Sequence, residues 1–134
     1  QYVREAVDEA LKLESALARL RTQRLVVLIH YAPIQATVEG EPLEIYPFLG
    51  CSRLEEPISR FPVSAVFHGH AHRGQPEGRT VSNVPVYNVS AALMKEMFPE
   101  RPFRLVDIDM RSTPAEAPEE RRDRRATDRV EVTR

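Results

Sequence analysis

An α/β layered fold is predicted by three features of this 134-residue sequence. A helix-periodic segment opens the chain, short apolar runs of strand length follow it, and every histidine lies at or just beyond the carboxyl end of such a run. Val3, Ala6, Ala10, Leu13, Leu17 and Leu20 recur at spacings of three and four, which predicts a helix over about Tyr2 to Leu20 with one buried face. Asp8 and Lys12 form an i,i+4 pair on its exposed side. Leu25 to Ile29 is apolar throughout and partly β-branched, so it reads as a strand with both faces covered. Pro33 restricts Ala32 and ends that strand just after His30.

Residues Ile34 to Gly50 contain too many prolines and glycines for a regular element and predict a long loop. Arg53 to Arg60 predicts a short helix presenting Leu54, Ile58 and Phe61 on one face, with Pro57 as an interruption. Val63 to Phe67 is a second strand that leads into His68, Gly69, His70, Ala71 and His72, and Arg73 to Gly78 supplies turn chemistry. Val84 to Val89 and Phe103 to Asp109 are further strand candidates. Beyond them, Arg111 to Arg134 holds seven arginines and six acidic residues with almost no large apolar side chain. Such a segment buries too little surface to offset its ordering entropy. The expected organisation is therefore one domain over residues 1–110 and a disordered charged tail over 111–134.

Composition excludes several classes. A net charge of -1 provides no electrostatic footprint for nucleic acid or an anionic membrane. No apolar stretch approaches the roughly 20 residues that span a bilayer, and the amino terminus lacks the apolar core of a signal peptide. The single cysteine, Cys51, forbids an intramolecular disulfide and suits a reducing compartment, so a cytoplasmic location is expected, with Cys51 itself an inert thiol.

The histidines carry the chemistry. Alternate residues of an extended chain point to one side, so His70 and His72 would stand roughly 6.6 Å apart with parallel rings if the strand continued through them. Neutral imidazole is the commonest transition-metal ligand, and the carboxyl edge of an open α/β sheet is where ligand sites are built. Metal ligation is the reading for His30, His70 and His72. His68 precedes the motif glycine and is expected to pack or to orient a ligand by a hydrogen bond. Gly69 is expected to adopt a positive φ or to allow a close backbone approach. Tyr31 and Arg73 adjoin the ligand candidates and could contact a phosphate, whereas a turn role is preferred for Asn88 over substrate contact. Glu39, Glu41 and Glu44 read as a solvated acidic loop.

A strand ending in His30, a later one followed by Gly69-His70-Ala71-His72, and a strand reaching Asn88-Val89-Ser90 together resemble the carboxyl-terminal half of the calcineurin-like metallophosphoesterases over about Leu25 to Asp109. The resemblance implies the second half of that layered sandwich and a hydrolase acting on a phosphomonoester, phosphodiester or nucleotide substrate. It also implies two divalent ions (manganese, iron or zinc), with His30 and His70 on the second and His72 on the first, and attack by a metal-activated water. The family's Asp-x-His, Gly-Asp-x-x-Asp and Gly-Asn-His-Asp or Gly-Asn-His-Glu strings do not occur here. Two divalent ions about 3.5 to 4 Å apart need anionic ligands to hold them, which three imidazoles cannot supply. The chain, which begins at Gln1, is thus expected to be a fragment that needs a missing amino-terminal half of the fold or a self-association partner. Two rivals stand beside this: a mononuclear site built on His30, His70 and His72 alone, and a catalytically incompetent domain that binds metal or a partner through a bare sheet surface.

Overall fold

The computed structural model describes residues 2–109. The expected tail over 111–134 lies outside them. The described chain is α/β: a four-stranded mixed sheet with α1 and α3 packed on one face. Helix α1 (Tyr2–Arg19) leads into β1 (Leu25–Ile29), then a short turn of helix α2 (Tyr46–Leu49), α3 (Glu55–Arg60), β2 (Val63–His68), β3 (Glu77–Arg79), β4 (Pro85–Asn88) and α4 (Ala91–Met97). The strand order is β1-β2-β4-β3. The first three are parallel, and β3 pairs antiparallel with β4 at the edge.

The core lies between the sheet and α1 and α3. Leu17, Leu25, Val27, Ile34, Ile58, Val63, Val66, Val84 and Val86 form it, with Leu13, Ile29 and Phe61 packed at its margin. Ile58 and Val66 are fully buried, each such side chain stabilising by about 1.5–3 kcal/mol relative to exposure. Pro57 does not interrupt α3. It is the third residue of the helix, within the first turn, where a backbone N–H has no intrahelical acceptor to lose. Lys12 pairs with Glu9 at 2.8 Å, not through an i,i+4 hydrogen bond to Asp8, and this pair raises its pKa. Arg60 and Glu14 link α3 to α1 across the surface.

Three sequence expectations change. The opposite face of β1 is not covered among the described residues: Val26 and Leu28 are 52% and 79% exposed. An apolar run marks a strand suited to two-sided burial, but α1 and α3 cover one side of β1 and leave Val26 and Leu28 open on the other. Phe103 to Asp109 joins no ladder. It runs with alternating exposure, Phe103 and Leu105 outward and Arg104, Val106 and Ile108 half-buried. Arg104 lies over the Tyr87 ring, 4.6 Å from its centroid, and pairs with the Glu77 carboxylate. Finally, the long loop over Ile34 to Gly50 is built of tight turns, with 3-10 segments at Gln35–Thr37 and Leu43–Ile45 before α2. β3 begins inside the Arg73–Gly78 segment expected to be a turn, pairing Glu77 and Gly78 with β4, and α4 had no sequence expectation.

Candidate functional site

The carboxyl ends of β1, β2 and β4 lie side by side. The Gly69 N–H donates to the His30 carbonyl at 3.2 Å and the Val89 N–H to the His68 carbonyl at 2.8 Å, so the parallel pairing runs out at one edge. His30, the His68–His72 turn and Asn88–Ser90 meet there.

His70 departs from strand geometry. β2 ends at His68, and His70 has φ 68, a left-handed conformation that non-glycine residues adopt only occasionally, histidine more often than most. The Ala71 N–H donates to the Gly69 carbonyl at 2.8 Å, closing a three-residue turn of the rare, strained positive-φ kind around His70. The alternation argument for His70 and His72 therefore fails at His70. The turn swings the His70 ring onto His30, with centroids 4.6 Å apart at 43°, and leaves His72 exposed. Tyr31 meets both rings edge-on, at 5.2 Å from His30 and 5.5 Å from His70. His70 Nε2 donates to the Phe48 carbonyl at 3.2 Å. A carbonyl can only accept, so the neutral ring carries its lone pair on Nδ1.

His68 is fully buried and both of its nitrogens are engaged. Nδ1 donates to the Gly69 carbonyl at 2.8 Å, so Nε2 accepts from the Thr37 hydroxyl at 2.8 Å, with the Ile34 carbonyl a longer alternative for that hydroxyl at 3.3 Å. Burial holds its pKa below the usual 6.5, opposed by the Gly69 carbonyl and reinforced by His30 nearby. Its role is to tie the Gln35–Thr37 turn to the end of β2. Asn88 is also fully buried. Its Nδ2 donates to the Ala71 carbonyl at 2.7 Å and reaches the Thr37 carbonyl at 3.4 Å, and its Oδ1 accepts the Ser90 N–H at 3.1 Å. Ala71 is buried in a second small core with Ala32, Val38 and Leu49.

Gly69 has neither of its expected properties: its φ is not positive, and an added Cβ would meet nothing within 4 Å. The left-handed position falls one residue later. Other glycines are the constrained ones: a Cβ on Gly74 would collide with the Thr37 carbonyl oxygen, one on Gly50 with that of Ala32, and one on Gly40, which has a positive φ, with that of Arg73. Of the acidic loop, Glu41 accepts the Arg73 N–H through Oε1 at 2.7 Å, while the Glu39 carbonyl accepts from Gln75 at 3.0 Å. Arg73 is exposed. Thr37, Phe48 and Ser90 complete the constellation. Only Ser90 stood near a motif in the sequence; Thr37 and the Phe48 carbonyl arrive through loop folding that no local pattern encodes.

Among the described residues no group of three or more His, Cys, Asp or Glu side chains is placed to hold a metal ion. His30 and His70 by themselves supply two neutral donors and no carboxylate, which does not fit a complete dinuclear centre, and His72 does not join them to make a mononuclear one. No described helix is long and apolar enough to cross a membrane. No protein-family model, curated protein or solved structure matches this chain.

Proposed function

We propose that this chain provides the imidazole side of a metal-dependent phosphoester hydrolase site of the calcineurin-like metallophosphoesterase type, and that the carboxylate ligands come from a second layer docked on the bare sheet face. The observation that carries the reading is the His30–His70 pair at the carboxyl edge of the sheet, with His70 Nε2 anchored on the Phe48 carbonyl. Histidines that bind metals almost always donate their other ring N–H to a carbonyl or carboxylate, which fixes tautomer and orientation. A strained backbone at His70 also supports the reading, because such strain persists where the surroundings over-determine it and gathers at functional sites. In this reading His72 becomes a ligand when the second layer arrives. Tyr31 and Arg73 flank the substrate, a phosphate ester whose anionic oxygens suit the Arg73 fork.

Isothermal titration of the chain with manganese or cobalt tests it. Binding is expected in the wild type and to be lost in His30→Ala and in His70→Ala, with negligible phosphatase or phosphodiesterase turnover by the chain alone. Binding that survives both substitutions overturns the assignment of the pair. Robust turnover abolished by His70→Ala would sink the requirement for a second layer.

A further inference from the structure

The Ala71 carbonyl, between the two motif histidines, collects more donors than a turn requires. It accepts the Gly74 N–H at 3.2 Å, Asn88 Nδ2 at 2.7 Å and the Ser90 hydroxyl at 3.2 Å. On the other side of His70, the Gly69 carbonyl accepts both the Ala71 N–H and His68 Nδ1, each at 2.8 Å. His70 is therefore gripped through the carbonyls on either side of it. We propose that Asn88, seconded by Ser90, is a positioning residue that holds His70 in its left-handed turn and so keeps its ring against His30. The proposal deepens the metal-site reading above and rests on it for its functional meaning.

Two observations distinguish this role from an ordinary loop turn. A local turn at Asn88 needs only the Oδ1 bond to the Ser90 N–H, yet the amide nitrogen reaches 17 residues back in the chain to Ala71. Ser90 stands at the N-cap of α4 and makes no capping bond there. Its hydroxyl donates instead to Ala71, although serine is among the residues that cap a helix start best. The Ser90 hydroxyl thus serves the motif turn rather than its own helix, and Asn88 closes its local turn through Oδ1 while its amide nitrogen holds the motif turn. The buried Ala71 methyl adds an apolar anchor beside Ala32, Val38 and Leu49.

The test uses the full chain without metal and NMR spectroscopy. In the wild type, cross-relaxation between His30 and His70 ring protons and slow exchange of the Ala71 amide are expected. Asn88→Asp keeps the Oδ1 acceptor but removes the donor. It is expected to abolish the His30–His70 cross-peaks while those within the core around Val66 and Val86 persist. Ser90→Ala, the milder change, is expected to speed Ala71 exchange about fivefold, as for loss of one ordinary hydrogen bond, and it decides the question if Asn88→Asp does not fold. Ring cross-peaks and Ala71 exchange unchanged in the variants overturn the proposal. Cobalt alone is the second probe: Asn88→Asp is expected to weaken binding 10–100-fold, as is usual for residues that orient ligands, and equal affinity overturns the proposal. A wild type that binds no cobalt defeats the metal reading, and the ring cross-peaks then still decide the positioning role.

Discussion

On one face of the sheet Leu25, Val27, Val66 and Val86 are buried in the core that α1 and α3 help to build. On the other, Leu28, Phe67 and Tyr87 line up across adjacent strands in register, Phe67 and Tyr87 stacked at 5.3 Å, with Leu28 left open. The two faces are similar in apolar character and differ in what covers them. Strands with parallel neighbours normally lie between two covering layers. One face therefore explains why the chain folds, and the other is apolar surface left open at β1 among the described residues.

The largest way to break this comparison is to hollow the covered face. Ile58→Ala should cost about 2–5 kcal/mol of unfolding free energy, measured by urea denaturation. A loss below 1 kcal/mol would mean that α3 contributes little to the core. A sharper test uses pH, because His68 closes the covered side at the end of β2. Folding holds its pKa below 6.5, so as pH falls the unfolded chain protonates this ring first. Its contribution to stability is complete above about pH 6.5 and declines below that, by at most about 1.4 kcal/mol per pH unit. His68→Gln should flatten that decline, and equal slopes for both proteins would refute the buried neutral ring. The smallest expected effect on stability comes from the bare face. Leu28→Glu should change it by no more than about 0.5 kcal/mol while reducing concentration-dependent self-association in sedimentation. A cost of 2 kcal/mol or more would show that Leu28 is covered in the free chain.

Much of this arrangement was legible in local pattern. The spacing from Ala6 to Leu17 and the run Leu25–Ile29 mark α1 and β1 because a helix face and a buried strand each follow from period and composition alone. The meeting of His30 with the His68–His72 segment at one sheet edge was readable for the same reason, since both end parallel strands. What was hidden depended on long-range closure. The parity of His70 and His72 was lost to a left-handed residue at His70 that nothing in Gly-His-Ala-His announces, and the glycine that looked responsible is conformationally ordinary. Thr37 and Asn88 share one network though 51 residues apart. Val26 and Leu28 read as doubly buried because sequence reports what a side chain would prefer to touch, not whether anything is there.

The clamp of Arg104 on Tyr87 and Glu77 sets a direction of approach. With the extended segment after Phe103 held against the β3–β4 side, the shared row Leu28–Phe67–Tyr87 is roofed at its far end and open at β1, where Leu28 is 79% exposed. A layer covering this face would therefore meet open apolar surface at β1 and a guanidinium over β4. Its footprint is lopsided, and a self-complementary partner would have to accommodate that asymmetry twice.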